Sequence, residues 1–249
     1  MVILAMKRFL LPILVAFAAV SCVGQLDDDE PNGGGGSSAV SEGAGIFLDF
    51  TATWCVNCPR MHEAIGQAQE ARPGKIIPIS VHFQDEMMCD DGKALIDHFE
   101  VAAYPTVVAN MDANSLTTAT SAELLLAKLD AAASAKKPCA VEGRLQDDGT
   151  LTVSVTAQES AGYSLSVALL EDGIVAAQTG ASESYVHDNV FRGFLQENLW
   201  GDPLGVLEAG VPVTRTYSVP GYGTKAYRVV AYVTHDGIVN AAWASGQNR

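Results

Sequence analysis

The sequence predicts an α/β domain followed by an all-β sandwich, both behind an exported, acidic leader. Over residues 45–136, short apolar β-prone runs alternate with amphipathic stretches, the order expected of strands and crossover helices. Beyond residue 140 the helical spacing stops, and alternating runs recur around Asp148-Gly149, Asp172-Gly173 and Asp236-Gly237, which are hairpin-turn pairs. At the start, Lys7 and Arg8 precede an apolar run over residues 9–20 that ends on Ser21-Cys22.

That leader has the length of a signal-peptide core and is short for a transmembrane helix. Ala19-Val20-Ser21-Cys22 is similar to the lipobox of bacterial lipoproteins, which implies a signal peptide over residues 1–21 and lipid attachment at Cys22. An ordinary signal peptide with an incidental cysteine is the alternative. Residues 22–44 carry the acidic run Asp27-Asp28-Asp29-Glu30 and four glycines at 33–36, a flexible tether. The run also resembles the signal that sends some Bacteroidetes lipoproteins to the cell surface. Either way the chain leaves the cytoplasm, so its remaining cysteines meet an oxidising compartment. With 29 acidic against 15 basic residues and a net charge of −14, the chain repels phosphate backbones, and nucleic acid is excluded as a partner.

The first half reads as follows. Residues 46–51 form a buried strand carrying one acid, Asp49. Trp54-Cys55-Val56-Asn57-Cys58 follows, with Pro59 suited to the first turn of a helix that Pro73-Gly74 stops. Residues 76–83 are a second strand, although Pro78 disfavours an interior place in a ladder. Residues 94–99 form a short helix and residues 106–109 a third strand. The capping box Thr120-Ser121-Ala122-Glu123 starts a last helix running to about residue 135.

The Trp-Cys-x-x-Cys at the first strand-to-helix junction, with Tyr104-Pro105-Thr106 later, resembles the thioredoxin superfamily over residues 45–136. The family's extra leading strand and helix are missing, so the resemblance is to a trimmed version. It implies Cys55 as a nucleophilic thiolate favoured by the helix N-terminus, and Cys58 as the resolving thiol. It further implies support from Trp54, from the buried acid Asp49, and from Tyr104 and a cis Pro105 beside the cysteines. Val56-Asn57 does not set a redox direction. The basic partner usual for the buried acid is missing from residues 76–83, where Ser80 takes its place. This chemistry requires a Cys55 sulfur that a visiting polypeptide can reach.

Other readings stand beside this one. Cys55 and Cys58 can form an inert structural bridge, or half a zinc site with Cys89 or His62, though a second paired-ligand motif is lacking and no metal or cofactor is expected. His62 reads as a surface residue. Setting Cys22 aside leaves four cysteines, and a Cys89–Cys139 bridge closing about fifty residues accounts for the remaining pair; two unbridged thiols are the alternative.

The second half, residues 140–249, reads as an immunoglobulin-like sandwich of at least six strands, with a non-alternating insertion over residues 187–204. His187-Asp188 has no nucleophile motif beside it, and loop packing accounts for it better than catalysis. Signal, tether and both halves (45–139 and 140–249) together resemble the Bacteroidetes outer-membrane lipoproteins related to the twenty-eight-kilodalton outer membrane protein. Two functions follow from the resemblances. One is a lipid-anchored thiol–disulfide oxidoreductase acting on exported protein thiols and disulfides with a further redox partner. The other is a non-catalytic surface lipoprotein that binds a partner.

Overall fold

The computed structural model describes residues 44–133 and 137–246. The expected signal peptide, Cys22 and the tether as far as residue 43 lie outside the described residues. The first elements are β1 (Gly45–Thr51), α1 (Cys58–Ala71), β2 (Ile76–His82), α2 (Asp90–His98), β3 (Thr106–Ala109) and α3 (Ala122–Ala133). Strands follow: β4 (Cys139–Leu145), β5 (Thr150–Ala157), β6 (Ala161–Glu171), β7 (Ile174–Ala176) and β8 (Tyr185–His187). The last five are β9 (Val190–Phe194), β10 (Asp202–Leu207), β11 (Pro212–Ser218), β12 (Tyr227–His235) and β13 (Ile238–Ala244).

Local rules explain the helices. Pro59 sits in the first turn of α1, where its missing N–H costs nothing, and Cys58, Met61, Ile65 and Ala68 form its buried stripe. The Cys89 sulfur caps α2 by accepting from the Gly92 N–H at 3.4 Å, and Asp90 and Asp91 suit that positive end.

Strands from both halves of the chain join one sheet, in the order β13-β12-β6-β9-β2-β1-β3, with β10 also on β6. β1 and β2 run parallel, and β9 joins β2 in parallel at Ser80↔Val190, where the Ser80 N–H donates to the Asn189 carbonyl. Pro78, two residues earlier, turns its nitrogen to the same side but lies short of β9, so it interrupts no ladder bond. The far ends of the sheet also meet: the Val239 N–H donates to the Asn110 carbonyl at 2.9 Å just beyond β3.

Leu48, Phe50, Ile79, Leu170, Phe191, Val230 and Tyr232 pack inside this curl together with Leu95 of α2 and Phe99 just after it. On the outer face of β1–β3, Phe47, Ile76 and Val107 meet Met61, Ile65, Leu125 and Leu129 of α1 and α3. On the outer face of β6, β12 and β13, Val167, Val229, Ala231 and Trp243 meet the second sheet, β11-β5-β4, through Val141, Val153 and Val155. β1 and β2 are therefore buried along their whole length, whereas β5 alternates.

This corrects the fold class. The described residues hold three α-helices and thirteen strands in mixed sheets, not an α/β thioredoxin-like domain followed by an immunoglobulin-like sandwich. The reason is non-local pairing. The expected insertion contributes β8, β9 and β10, and β9 and β6 continue the sheet beyond β2. The Cys89–Cys139 bridge is also corrected: the two are not bonded to each other. Cys89 caps α2 against the curl's interior, while Cys139 belongs to the core beneath the second sheet.

Gly143 on β4 leaves room for the buried Trp243 ring, since a Cβ there would lie 2.3 Å from its Cε3 atom. Gly143→Ala is expected to lower unfolding free energy by about 2 kcal/mol, the usual scale of overpacking. Urea denaturation checks this, and Gly143→Ala combined with Trp243→Leu should recover part of the loss.

Candidate functional site

β1 ends at Thr51, and the chain turns through Ala52 to Cys58, with the Cys55 N–H donating to the Ala52 carbonyl and the Cys58 N–H to the Cys55 carbonyl. Cys55 and Cys58 form a disulfide at the start of α1. Tyr104, which precedes a cis peptide bond to Pro105, packs against the two cysteines. Its ring stacks on Phe83 at 5.2 Å between centroids and meets the edge of Trp54 at 5.5 Å. The Trp54 indole N–H donates to the Phe83 carbonyl. Burial, and less so Asp97, pushes the Tyr104 phenol up to about 12, so it stays protonated. Cys55, Cys58, Trp54, Tyr104 and Pro105 are thus gathered at one place.

The sulfurs are covered. Cys55 is 4% exposed and Cys58 0%, although Trp54 and Val56 beside them are 46% and 59% exposed. The segment between β7 and β8 docks as a cover on the turn that carries Cys55. Gln178 Nε2 donates to the carbonyls of Cys55 at 2.9 Å and Ala52 at 3.2 Å, and the Thr179 N–H donates to Thr53 at 2.8 Å. Gly180 lies so close that a Cβ there would stand 2.4 Å from the Val56 carbonyl oxygen.

Toward the carboxyl ends of the parallel strands β1 and β2, the face that meets α1 changes from apolar to polar. Asp49, Ser80 and His82 line a cavity of about 150 Å³ there, closed by His62 of α1 and by Tyr185 and His187 of β8. Such strand ends are where open α/β sheets collect polar chemistry. Asp49 is buried, as the sequence suggests. Its missing basic partner comes from α1: His62 Nε2 lies 3.1 Å from Asp49 Oδ2, within ion-pair distance though not aligned as a hydrogen bond. His62 Nε2 also meets the Thr51 hydroxyl, and Nδ1 shares a hydrogen bond with the Tyr185 hydroxyl at 2.9 Å.

Burial pulls the His62 pKa down, but the Asp49 charge overrides it and the net shift is upward. His187 behaves oppositely. Burial, and then the His82 and His62 charges, push it down to about 4. His82 Nδ1 pairs with Asp85 at 2.8 Å; burial opposes that charge, but His82 and the N–H groups of Thr53 and Met87 hold the Asp85 carboxyl below the usual range.

Four contributors were not read from the sequence. His62, expected at the surface, lies one turn beyond Cys58 and shares its helix face, an i, i+4 spacing that carries the signal. Gln178, Gly180 and Tyr185 have no local signature. His187 does pack, as expected, but as the buried last residue of strand β8 rather than in a loop, and Asp188 turns away to accept from the Gly173 N–H. Among the described residues no three acidic, histidine or cysteine side chains converge on a metal position.

No curated protein matches the chain in sequence. Among solved structures it is similar to HBP35 of Porphyromonas gingivalis, with a TM-score of 0.67 and 17% identity over 84% of this chain and 76% of that one. It is also similar to the protein AGR_C_4864 of Agrobacterium tumefaciens, with a TM-score of 0.57 and 15% identity over 81% and 92% of the two chains. At these identities the likeness is one of fold. A family model matches residues 92–243, from inside α2 to β13, most of the described chain. The chain therefore belongs to the Omp28 family of outer membrane proteins.

Proposed function

We propose that this outer-membrane family member is a lipoprotein, anchored through Cys22, that binds a partner at the cell surface and does not turn over disulfides. The observation that carries the reading is the cover over the Cys55–Cys58 bridge. A thiol–disulfide exchange needs an attacking sulfur to approach in line with the bridge. Here both cysteines are buried and residues 178 and 179 are hydrogen-bonded to the turn that holds Cys55, which supports a bridge closed to such an approach. A bridge so enclosed acts as a staple, tying the end of β1 to α1 where the cover docks. The exposed Trp54 and Val56 beside it are surface for contact, not a route to the sulfur.

The test separates staple from catalyst. Cys55→Ser is expected to leave insulin disulfide reduction at the uncatalysed rate of the wild type, and Cys58→Ser, which keeps Cys55 but removes the resolving thiol, to trap no mixed disulfides in cells. Cys55→Ser should lower unfolding free energy by about 2 kcal/mol, the chain-entropy value for so short a loop. Turnover by the wild type that Cys55→Ser abolishes would overturn the proposal. Loss of fatty-acid labelling in Cys22→Ala checks the anchor.

A further inference from the structure

A groove of about 530 Å³ lies apart from the polar cavity under the bridge and shares no lining residue with it. Ile174, Val175, Ala176 and Ala177 line the groove together with Glu86 and Met87 of the loop after β2. At one end Arg192 and Lys225 stand over Glu171. Two features give this groove a ligand chemistry.

The first is a free strand edge. Among the described residues β7 pairs only with β8, so its other edge has no partner strand, and its residues line the groove. Val175 there is 64% exposed. An extended peptide satisfies such an edge by adding a strand, with alternate side chains pointing in and out.

The second is charge. Glu171 is buried, and both cations share its one carboxylate: Arg192 Nε lies 3.2 Å from Oε2 and Lys225 Nζ 3.0 Å from Oε1. Arg192 also donates to the Met87 carbonyl at 3.4 Å, which accounts for two of the five donors a guanidinium carries. The Glu171 carboxylate therefore balances one of these two positive charges and leaves the second, in a chain whose overall charge is −14. Asp85 does not cancel it, because its carboxylate is turned onto His82, Thr53 and Met87. Glu86 lies exposed on the loop wall.

We infer that this groove binds an extended peptide by strand addition to β7, with a carboxylate of the peptide on Lys225 and Arg192. The inference deepens the binding role and rests on it, naming the class of partner and the edge that reads it. A free C-terminal carboxylate fits best, since it reaches the cations without the main chain leaving the strand edge.

The test uses the full chain and two fluorescein-labelled pentapeptides, Gly-Thr-Val-Thr-Val as the free acid and as the C-terminal amide, followed by anisotropy. The acid is expected to bind about tenfold more tightly than the amide, the scale of one charge-assisted hydrogen bond. Lys225→Gln leaves Arg192 on Glu171, so the fold is kept; it should bring the acid down to the amide's affinity and leave the amide unchanged. Val175→Pro, checked for native circular dichroism, should weaken both peptides. Equal binding of acid and amide, or an acid–amide ratio untouched by Lys225→Gln, overturns the assignment. Failure of the underlying binding role shows elsewhere, as disulfide turnover that depends on Cys55.

Discussion

Gly180→Val is expected to make the Cys55–Cys58 bridge reducible by dithiothreitol at least about tenfold faster than in the wild type. Gly180 has a φ of +84°, a conformation that a β-branched residue adopts only under strain. The Cβ would also meet the Val56 carbonyl oxygen at 2.4 Å. That neighbour is backbone, so no rotamer change relieves the clash and the segment itself must move. Backbone strain of this kind costs on the order of 1–3 kcal/mol, and each 1.36 kcal/mol removed from a barrier is tenfold in rate. Lifting residues 178–180 also breaks the Gln178 and Thr179 hydrogen bonds that hold the cover. Gly210→Val is the control, because it has a φ of +76° but open space around its Cβ position. It carries similar strain without touching the cover. The measurement is alkylation of released thiols against time. If Gly180→Val and Gly210→Val both release thiols at the wild-type rate, the cover is not what protects the bridge.

Sequence and structure differ most in what surrounds the Cys55–Cys58 bridge. Trp54-Cys55-Val56-Asn57-Cys58 is set by local order, a strand-to-helix junction, whereas its meeting with Tyr104, about fifty positions on, is implied only by the resemblance. Asp49 is legible as a buried acid from its Phe47-Leu48-Asp49-Phe50 setting, since a strand buried on both faces shows a continuous apolar run. The cover is not legible. Residues 178–180 lie more than a hundred positions downstream, in a polar stretch whose local pattern is only that of a turn. Fold class fails for the same reason. β9 is short and β10 is interrupted by a bulge between Pro203 and Gly205, so neither alternates cleanly, yet β9 is the link between the chain's halves. Strands β4, β5, β6, β12 and β13, by contrast, are visible because they flank Asp-Gly turns, a local signal, to which β5 adds period-two burial. His62 falls between these cases. Its spacing from Cys58 is readable, but its acid partner lies on a different element.

Acidification is expected to unlatch the same cover, through His187. This imidazole is 2% exposed and neutral in the fold, with a pKa pushed down to about 4 against 6.5 in the unfolded chain. Between those two values the unfolded state binds the proton and the folded state does not, so stability falls as pH drops from 6.5 toward 4. At about 1.4 kcal/mol per unit the full loss from this group is about 3 kcal/mol below pH 4. His62 has the opposite sign: its raised pKa gives stability that is present below 6.5 and lost as pH rises through its folded value. Asp85 enters only lower, since its depressed pKa gives stability lost as pH falls below the ordinary carboxylate range. The decline between 6.5 and 4 therefore belongs to His187, and His187→Gln should flatten it, read as urea midpoints at pH 7, 5.5 and 4. His187 ends β8, and residues 178–180 lie between β7 and β8, so charging this imidazole strains the hairpin that carries the cover. Reduction by a phosphine, which works in acid, should accelerate between pH 6 and 4 in the wild type and not in His187→Gln. A wild-type midpoint that stays level across that range would remove His187 from the account. The cover would then rest on the Gln178 and Thr179 hydrogen bonds alone, which carry no charge to titrate.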